Sequence, residues 1–331
     1  MHPVVHSAPA LDTVLTPALT PAPLPDAPMC RELAELVSAR MTQEGVYETD
    51  IPGLDLFRVD APTSCMSTVY EPSLCVIAQG RKVVQLGDRE IVYGALSYMV
   101  SSVDLPVNGR VVDASPENPF LAVKINIDPA EVAELVLQLG DAAAYRGAVD
   151  CPYSACGLCV AQVDLGILNA MTRLVGLLDS PTDARVLAPL IQREIIYRAL
   201  VGEMGSRMRE FVSADSQSNR ISRVISVLKD RFAEPLRVRE LAEDVNMSES
   251  TLYHSFKQVT RMSPLQFQKK LRLHEARRLM LSEGLEAATA SYRVGYESPS
   301  HFSREYSRMF GAPPRADVVK LRGETRMSVP A

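Results

Sequence analysis

Apolar residues recur along this chain in two rhythms, and the switch between them marks its organisation. Between Leu54 and Asp128, short runs rich in Val, Ile and Tyr predict strands over 75–78, 82–86, 90–93, 97–101, 107–113 and 121–127. Turn chemistry separates them: Gln79-Gly80, Gly87-Asp88, Gly94, Asn108-Gly109 and the Pro116 to Pro119 stretch. Six or more short strands spaced by about ten residues predict a small barrel or sandwich. Helical spacing then takes over at 129–139, 165–178 and 187–201. The last two carry apolar stripes (Leu168, Met171, Leu174, Val175, Leu178; Leu190, Ile191, Ile195, Tyr197) that fit packing within the domain or a dimer face.

Ahead of the strands, residues 1–28 hold seven prolines and no periodicity, which predicts a disordered tail. A short helix is expected over 30–41. Residues 29–205 form one regulatory domain on this reading, and the serine- and glycine-bearing stretch 204–219 is a joint. Residues 217–322 are helical throughout. A helix over 221–232 stops near Pro235; Val238, Leu241, Ala242 and Val245 mark the inner face of the next, and Leu252, Phe256 and Val259 that of a third. Ser248 is placed to cap the third helix. Small Ala242 stands where two helices approach closely, as a helix-turn-helix requires. Ser263, Pro264 and Gln266 then start a helix with a cap, an N1 proline and a capping box. It runs to about Leu281, and a second unit follows over 286–294 and 298–310. A linker of that length, about 27 Å at 1.5 Å per residue, lets two recognition helices reach successive major grooves of one duplex.

Charge sharpens this picture. The formal net charge is −5, yet from residue 217 onward 20 Lys and Arg face 13 Asp and Glu, leaving +7 there and −12 in the rest. A basic end suits a phosphate backbone. At 331 residues and 47% hydrophobic content the chain can bury two cores, and no apolar run approaches a membrane span. With no signal-peptide pattern, a cytoplasmic location and reduced cysteines are expected.

Two stretches carry a resemblance. Arg272 to Met280, with Tyr292-Arg-Val-Gly-Tyr-Glu-Ser-Pro-Ser-His-Phe-Ser-Arg-Glu-Tyr-Ser-Arg-Met-Phe-Gly-Ala-Pro-Pro, resembles the signature of the AraC/XylS family of bacterial regulators. Val69 to Gly80, Ser102-Val-Asp-Leu-Pro and Ala114-Ser-Pro-Glu resemble the N-terminal domain of one AraC-type subgroup. The resemblance implies an α+β protein: a cupin-like β-barrel with helices, then an all-α domain of two helix-turn-helix units. It implies an effector- or stress-controlled transcription regulator, usually an activator, acting on promoter DNA with RNA polymerase and able to form a homodimer. By motif position, Ser250, Thr251, Tyr253 and His254 face bases from the first recognition helix, and Ser300, Ser303 and Arg304 from the second. Arg304 suits either a bidentate guanine contact or a phosphate. Lys257, Lys269 and Arg308 read as phosphate contacts or as solvated surface. Two positions depart from the family pattern. Ala287 replaces a branched apolar residue, which predicts looser packing of the second unit, and Arg261 replaces a helix-ending glycine.

The front domain is less explicit. Residues 7–253 contain no histidine, so a cupin-type metalloenzyme is disfavoured; a nucleophile motif and a phosphate loop are also missing, and no metal or cofactor is called for. Tyr70, Cys75, Tyr98 and Lys124 are polar residues within strand-like runs. Cys151, Cys156 and Cys159 lie within nine residues, which fits an electrophile- or redox-sensing loop, a zinc site short of one ligand, or an incidental loop. Cys75 joins them as a candidate for effector or redox chemistry.

Overall fold

The computed structural model describes residues 27–140, 156–214 and 216–327. Helix α1 (Ala27–Arg40) begins two residues inside the stretch expected to be tail; the rest of that stretch lies outside the described residues. Ten strands follow: β1 (Gly45–Glu48), β2 (Leu54–Val59), β3 (Met66–Tyr70), β4 (Ser73–Gln79), β5 (Arg81–Leu86), β6 (Arg89–Gly94), β7 (Ser97–Ser101), β8 (Leu105–Asp113), β9 (Phe120–Asn126) and, after helix α2 (Pro129–Leu139), β10 (Leu158–Gln162).

The strands pair antiparallel into a six-stranded sheet, β1-β2-β9-β4-β7-β10, and a four-stranded sheet, β3-β8-β5-β6. The expected barrel is therefore a cupin-like sandwich whose two sheets do not close on each other. The chain crosses from one sheet to the other at Gly80, whose φ is +83°. A Cβ there would lie 2.6 Å from the Asp113 carbonyl oxygen, so the corner needs glycine.

Helices α3 (Leu165–Gly176) and α4 (Pro181–Val201), joined through one 3-10 turn, cover the outer face of the larger sheet together with α1. One core fills that layer, with Leu33, Leu56, Val123, Leu168, Met171 and Ile195 buried in it. Packing within the domain thus takes up Leu168, Met171, Leu174, Val175, Ile191 and Ile195. Leu190 and Tyr197 of the same expected stripes instead stay exposed. The expected joint is not a plain linker. It holds helix α5 (Gly205–Val212), whose Met208 and Phe211 enter two different cores.

The remaining helices are α6 (Gln217–Asp230), α7 (Val238–Asp244), α8 (Glu249–Thr260), α9 (Pro264–Ser282), α10 (Ala287–Arg293), α11 (Pro299–Phe310) and α12 (Pro314–Met327). The first helix-turn-helix unit has no core of its own. Ile221, Val224, Phe256 and Phe267 continue the interior of the sandwich past Val103, Leu105 and Leu158. The second unit closes a separate core around Ala276, Leu279, Val294, Phe302 and Tyr306. Ala287 packs against that core while only half-buried.

Candidate nucleic-acid interface

Local chemistry starts the two helices that present the site. Ser248 accepts the Thr251 backbone N–H at 3.2 Å and caps α8. Ser263 and Gln266 form the full capping box at the start of α9. Ser298 caps α11 through the His301 N–H, with Pro299 at N1. At its other end, α8 stops on Arg261 in the left-handed conformation, φ +59°. That costs a non-glycine residue about 1 kcal/mol. The contact it serves is close: a Cβ on Gly87 of the sandwich would lie 2.5 Å from the Arg261 carbonyl oxygen. Beside it, the Gly157 N–H donates to the Val259 carbonyl at 3.0 Å, and Lys229 of α6 pairs with Asp104 at 2.7 Å.

Burying Leu252, Phe256 and Val259 leaves the opposite face of α8 in solvent, where Ser250, Thr251, Tyr253, His254 and Lys257 are all exposed. The Ser250 and Thr251 hydroxyls share hydrogen bonds with the cap Ser248, and His254 meets Gln258 at 2.9 Å. On α11, Phe302 and Tyr306 point inward, Ser300 and Arg304 are exposed, and Ser303 is half-buried. Lys269 sits elsewhere: it pairs with Glu305 at 2.5 Å. Burial works to raise the Glu305 pKa, but hydrogen bonds from Lys269 and Tyr296 hold the carboxyl below the usual range. Lys269 and Arg308 line a crevice of about 540 Å³ between α9, α11 and the Gly87-Asp88 turn. Burial also pushes down the pKa of Lys270 in that crevice.

The two units are clamped together by a residue to which the sequence pattern assigned no role. Arg272, mid-way along α9, donates to the carbonyls of Phe232 (2.7 Å), Ala233 (3.2 Å) and Glu234 (2.8 Å) in the first unit and of Gly295 (2.9 Å) in the turn of the second. Gly295 has φ +84°, and a Cβ there would overlap the Ala233 carbonyl. Gln268 adds a bond to the Glu234 carbonyl at 2.7 Å. The 19-residue α9, about 28 Å long, thus carries both recognition helices at a fixed spacing.

Of the cysteine cluster, Cys156 and Cys159 are not joined by a disulfide, and the Cys159 thiol donates to the Cys156 carbonyl at 3.6 Å. Cys156 is buried in the core shared with the first unit and Cys159 in the core beneath the helical layer, while Cys151 lies outside the described residues. Cys75 lines the space between the sheets, where burial pushes its thiol up against the opposing effect of Lys82 and Lys124. Tyr98 is buried under the helices rather than between the sheets.

Two exposed second helices on one rigid connector, joined to a β-sandwich, define a double helix-turn-helix DNA-binding protein with an appended regulatory domain. The chain belongs to the AraC/XylS family of transcription regulators. The profile of the AraC-type transcriptional regulator N-terminus matches residues 50–207, and a helix-turn-helix domain profile matches 241–317. The chain is 28% identical over 154 residues to the HTH-type transcriptional activator RhaS of Salmonella typhimurium and of Salmonella typhi, covering 46% of this chain and 55% of each relative. The match therefore spans about half the length of these curated relatives. In overall fold the chain resembles an apo ToxT variant from Vibrio cholerae, at a TM-score of 0.52 and 12% identity over 82% of this chain and 99% of that one. It also resembles unsaturated fatty acid bound wild-type ToxT, at a TM-score of 0.50 and 11% identity over 84% of this chain and 97% of that one. Among the described residues, no helix is long and apolar enough to cross a membrane.

Proposed function

We propose that the chain is a sequence-specific transcription activator that reads two adjacent major-groove segments with α8 and α11 and is controlled by an effector held in the sandwich. The observation that carries this reading is the pair of exposed recognition faces held on α9 by the Arg272 clamp. Base contacts come from Ser250, Thr251, Tyr253, His254, Ser300, Ser303 and Arg304, and phosphate contacts from Lys257 and Arg308. The core shared by the sandwich and the first unit gives the effector domain a direct mechanical hold on α8. RNA polymerase is the expected partner at the promoter, as the family role requires, and the cytoplasm its place of action.

A homodimer forms through α4 on this reading. Val186, Leu190 and Tyr197 recur at helical spacing on its outer face, and Leu190 is 61% exposed. An apolar stripe of that kind suits a second copy of the same helix. The test of DNA reading is a gel shift with the chain's own upstream region. Arg304→Ala should weaken specific binding by about ten- to a hundredfold, the worth of one bidentate base contact, and rising salt should weaken it steeply. Binding indifferent to both would sink the reading.

A further inference from the structure

A polar cluster sits between the two sheets, inside an otherwise apolar interior. Cross-strand register puts its members on facing inner surfaces: Lys82 of β5 stands opposite Tyr93 of β6, Tyr70 of β3 opposite Leu105 of β8, and Cys75 of β4 opposite Lys124 of β9. The Lys82 ammonium lies 5.3 Å from the centre of the Tyr70 ring. Gly109 makes room for both, since a Cβ there would stand 3.4 Å from Lys82 Cε and 3.6 Å from the Tyr70 hydroxyl. Tyr93 is only 4% exposed, and the buried hydroxyls of Tyr70 and Tyr93 lie against each other and against Lys82 without reaching good hydrogen-bond geometry. Three donors crowded together with no acceptor stronger than a phenol oxygen leave bonding capacity that an anionic ligand would take up.

The charges do not cancel. Lys124 pairs with Asp55 at 2.7 Å, whereas Lys82 makes no ion pair among the described residues. Burial holds the Cys75 thiol and the Tyr93 phenol protonated, so neither supplies the missing negative charge. One positive charge is left over, with two hydroxyl donors beside it. The neighbouring wall is apolar, formed by Val84, Ile91, Met99 and Leu105.

We infer that this cluster binds an organic monoanion, a carboxylate whose two oxygens accept from Lys82, Tyr70 and Tyr93 while its apolar body lies against the sandwich wall. The inference rests on the effector reading above and gives it a chemical class. A dianion such as a phosphate monoester would leave one charge uncompensated in the interior. A neutral ligand would leave the ammonium unpaired. Burial disfavours the charged amine, but the adjacent Tyr70 favours it and the net direction is upward, so Lys82 is held as an ammonium rather than as a nucleophile for carbonyl compounds.

The test uses the full chain and titration calorimetry with hexanoate and benzoate, against hexanamide and benzamide as uncharged counterparts. The acids should bind at least about tenfold tighter than the amides. Lys82→Met should erase that preference, Lys82→Arg should keep part of it, and Tyr93→Phe, which removes a single oxygen, should weaken the acids by about tenfold. Equal binding of acids and amides, an acid preference that survives Lys82→Met, or a borohydride-trapped adduct of hexanal on Lys82 would each overturn the assignment. DNA affinity measured on the same samples separates the two readings. Loss of acid binding with DNA binding intact removes the site alone, and acid binding that leaves DNA affinity unmoved removes the effector role alone.

Discussion

Replacing Arg272 by alanine removes four hydrogen bonds from a charged donor to backbone carbonyls, three in the first helix-turn-helix unit and one in the turn of the second. Such bonds contribute about 1.5–3 kcal/mol each when buried. Arg272 is half-buried, and the freed carbonyls regain water, which reduces the loss of folding stability to about 2–3 kcal/mol in all. Up to about 2 kcal/mol of this is orientation of one unit against the other, which is about thirtyfold in affinity for any DNA that must engage both at once. Fluorescence anisotropy should compare two duplexes, one carrying both half-sites and one with the distal half-site scrambled. Arg272→Ala should lose about ten- to thirtyfold on the first and less than about threefold on the second. The slope of log affinity against log salt should not change, because the guanidinium is committed to carbonyls and not to phosphate. An equal loss on both duplexes, or none on either, would refute the claim that the clamp sets the spacing.

Other expected outcomes follow from single contacts. Gly295→Ala places a Cβ on the Ala233 carbonyl at a positive φ, and should lower stability by about 2 kcal/mol or more in urea unfolding. His274 is held neutral in the fold: burial, helped by Arg277 and Lys270, lowers its pKa from 6.5 to about 4. The unfolded chain therefore takes up a proton that the native state refuses. The stability from this site is full above about pH 6.5, falls as pH drops toward 4, and should decline by about 2 kcal/mol between pH 7.5 and 5. Paired urea titrations should show that His274→Gln flattens this fall; an unchanged slope would assign it to other groups. Leu190→Glu should shift sedimentation of the full chain from dimer to monomer while leaving its far-UV spectrum intact, and a chain already monomeric at micromolar concentration would remove α4 as an interface.

Much of the DNA-binding half could be read from the sequence because its determinants are local. Ser248, Ser263 and Ser298 each cap the helix that follows them, and inward residues three and four apart fix the buried face. The strands from β4 to β9 were likewise legible, from short β-branched and aromatic runs bounded by turn residues. Strand β1 was not, since Gly45–Glu48 is exposed at every position and carries no apolar signal. Helix α5 was hidden by its glycine and serine start; only Met208 and Phe211, three residues apart, betray it. Arg272 was visible in the motif, but its acceptors are main-chain carbonyls 23 to 40 residues away, which leave no mark on residue type. Lys82 suggests a solvent-facing residue by its charge. Its parity with Val84 and Leu86 was the available signal, and the pairing with Tyr93 turns that signal into a site. The cysteine spacing pointed the other way: Cys156 and Cys159 are close in sequence yet packed into separate cores.

The central claim is that one chain reads two successive grooves through α8 and α11. Hydroxyl-radical footprinting of the full chain on its own upstream region, at a protein concentration below that at which it dimerises, tests this most directly. Two protected patches are expected on one face of the duplex, centred about 10 base pairs apart, with the patch under α11 lost in Arg304→Ala. A single protected patch, or two that respond equally to Arg304→Ala, would contradict it.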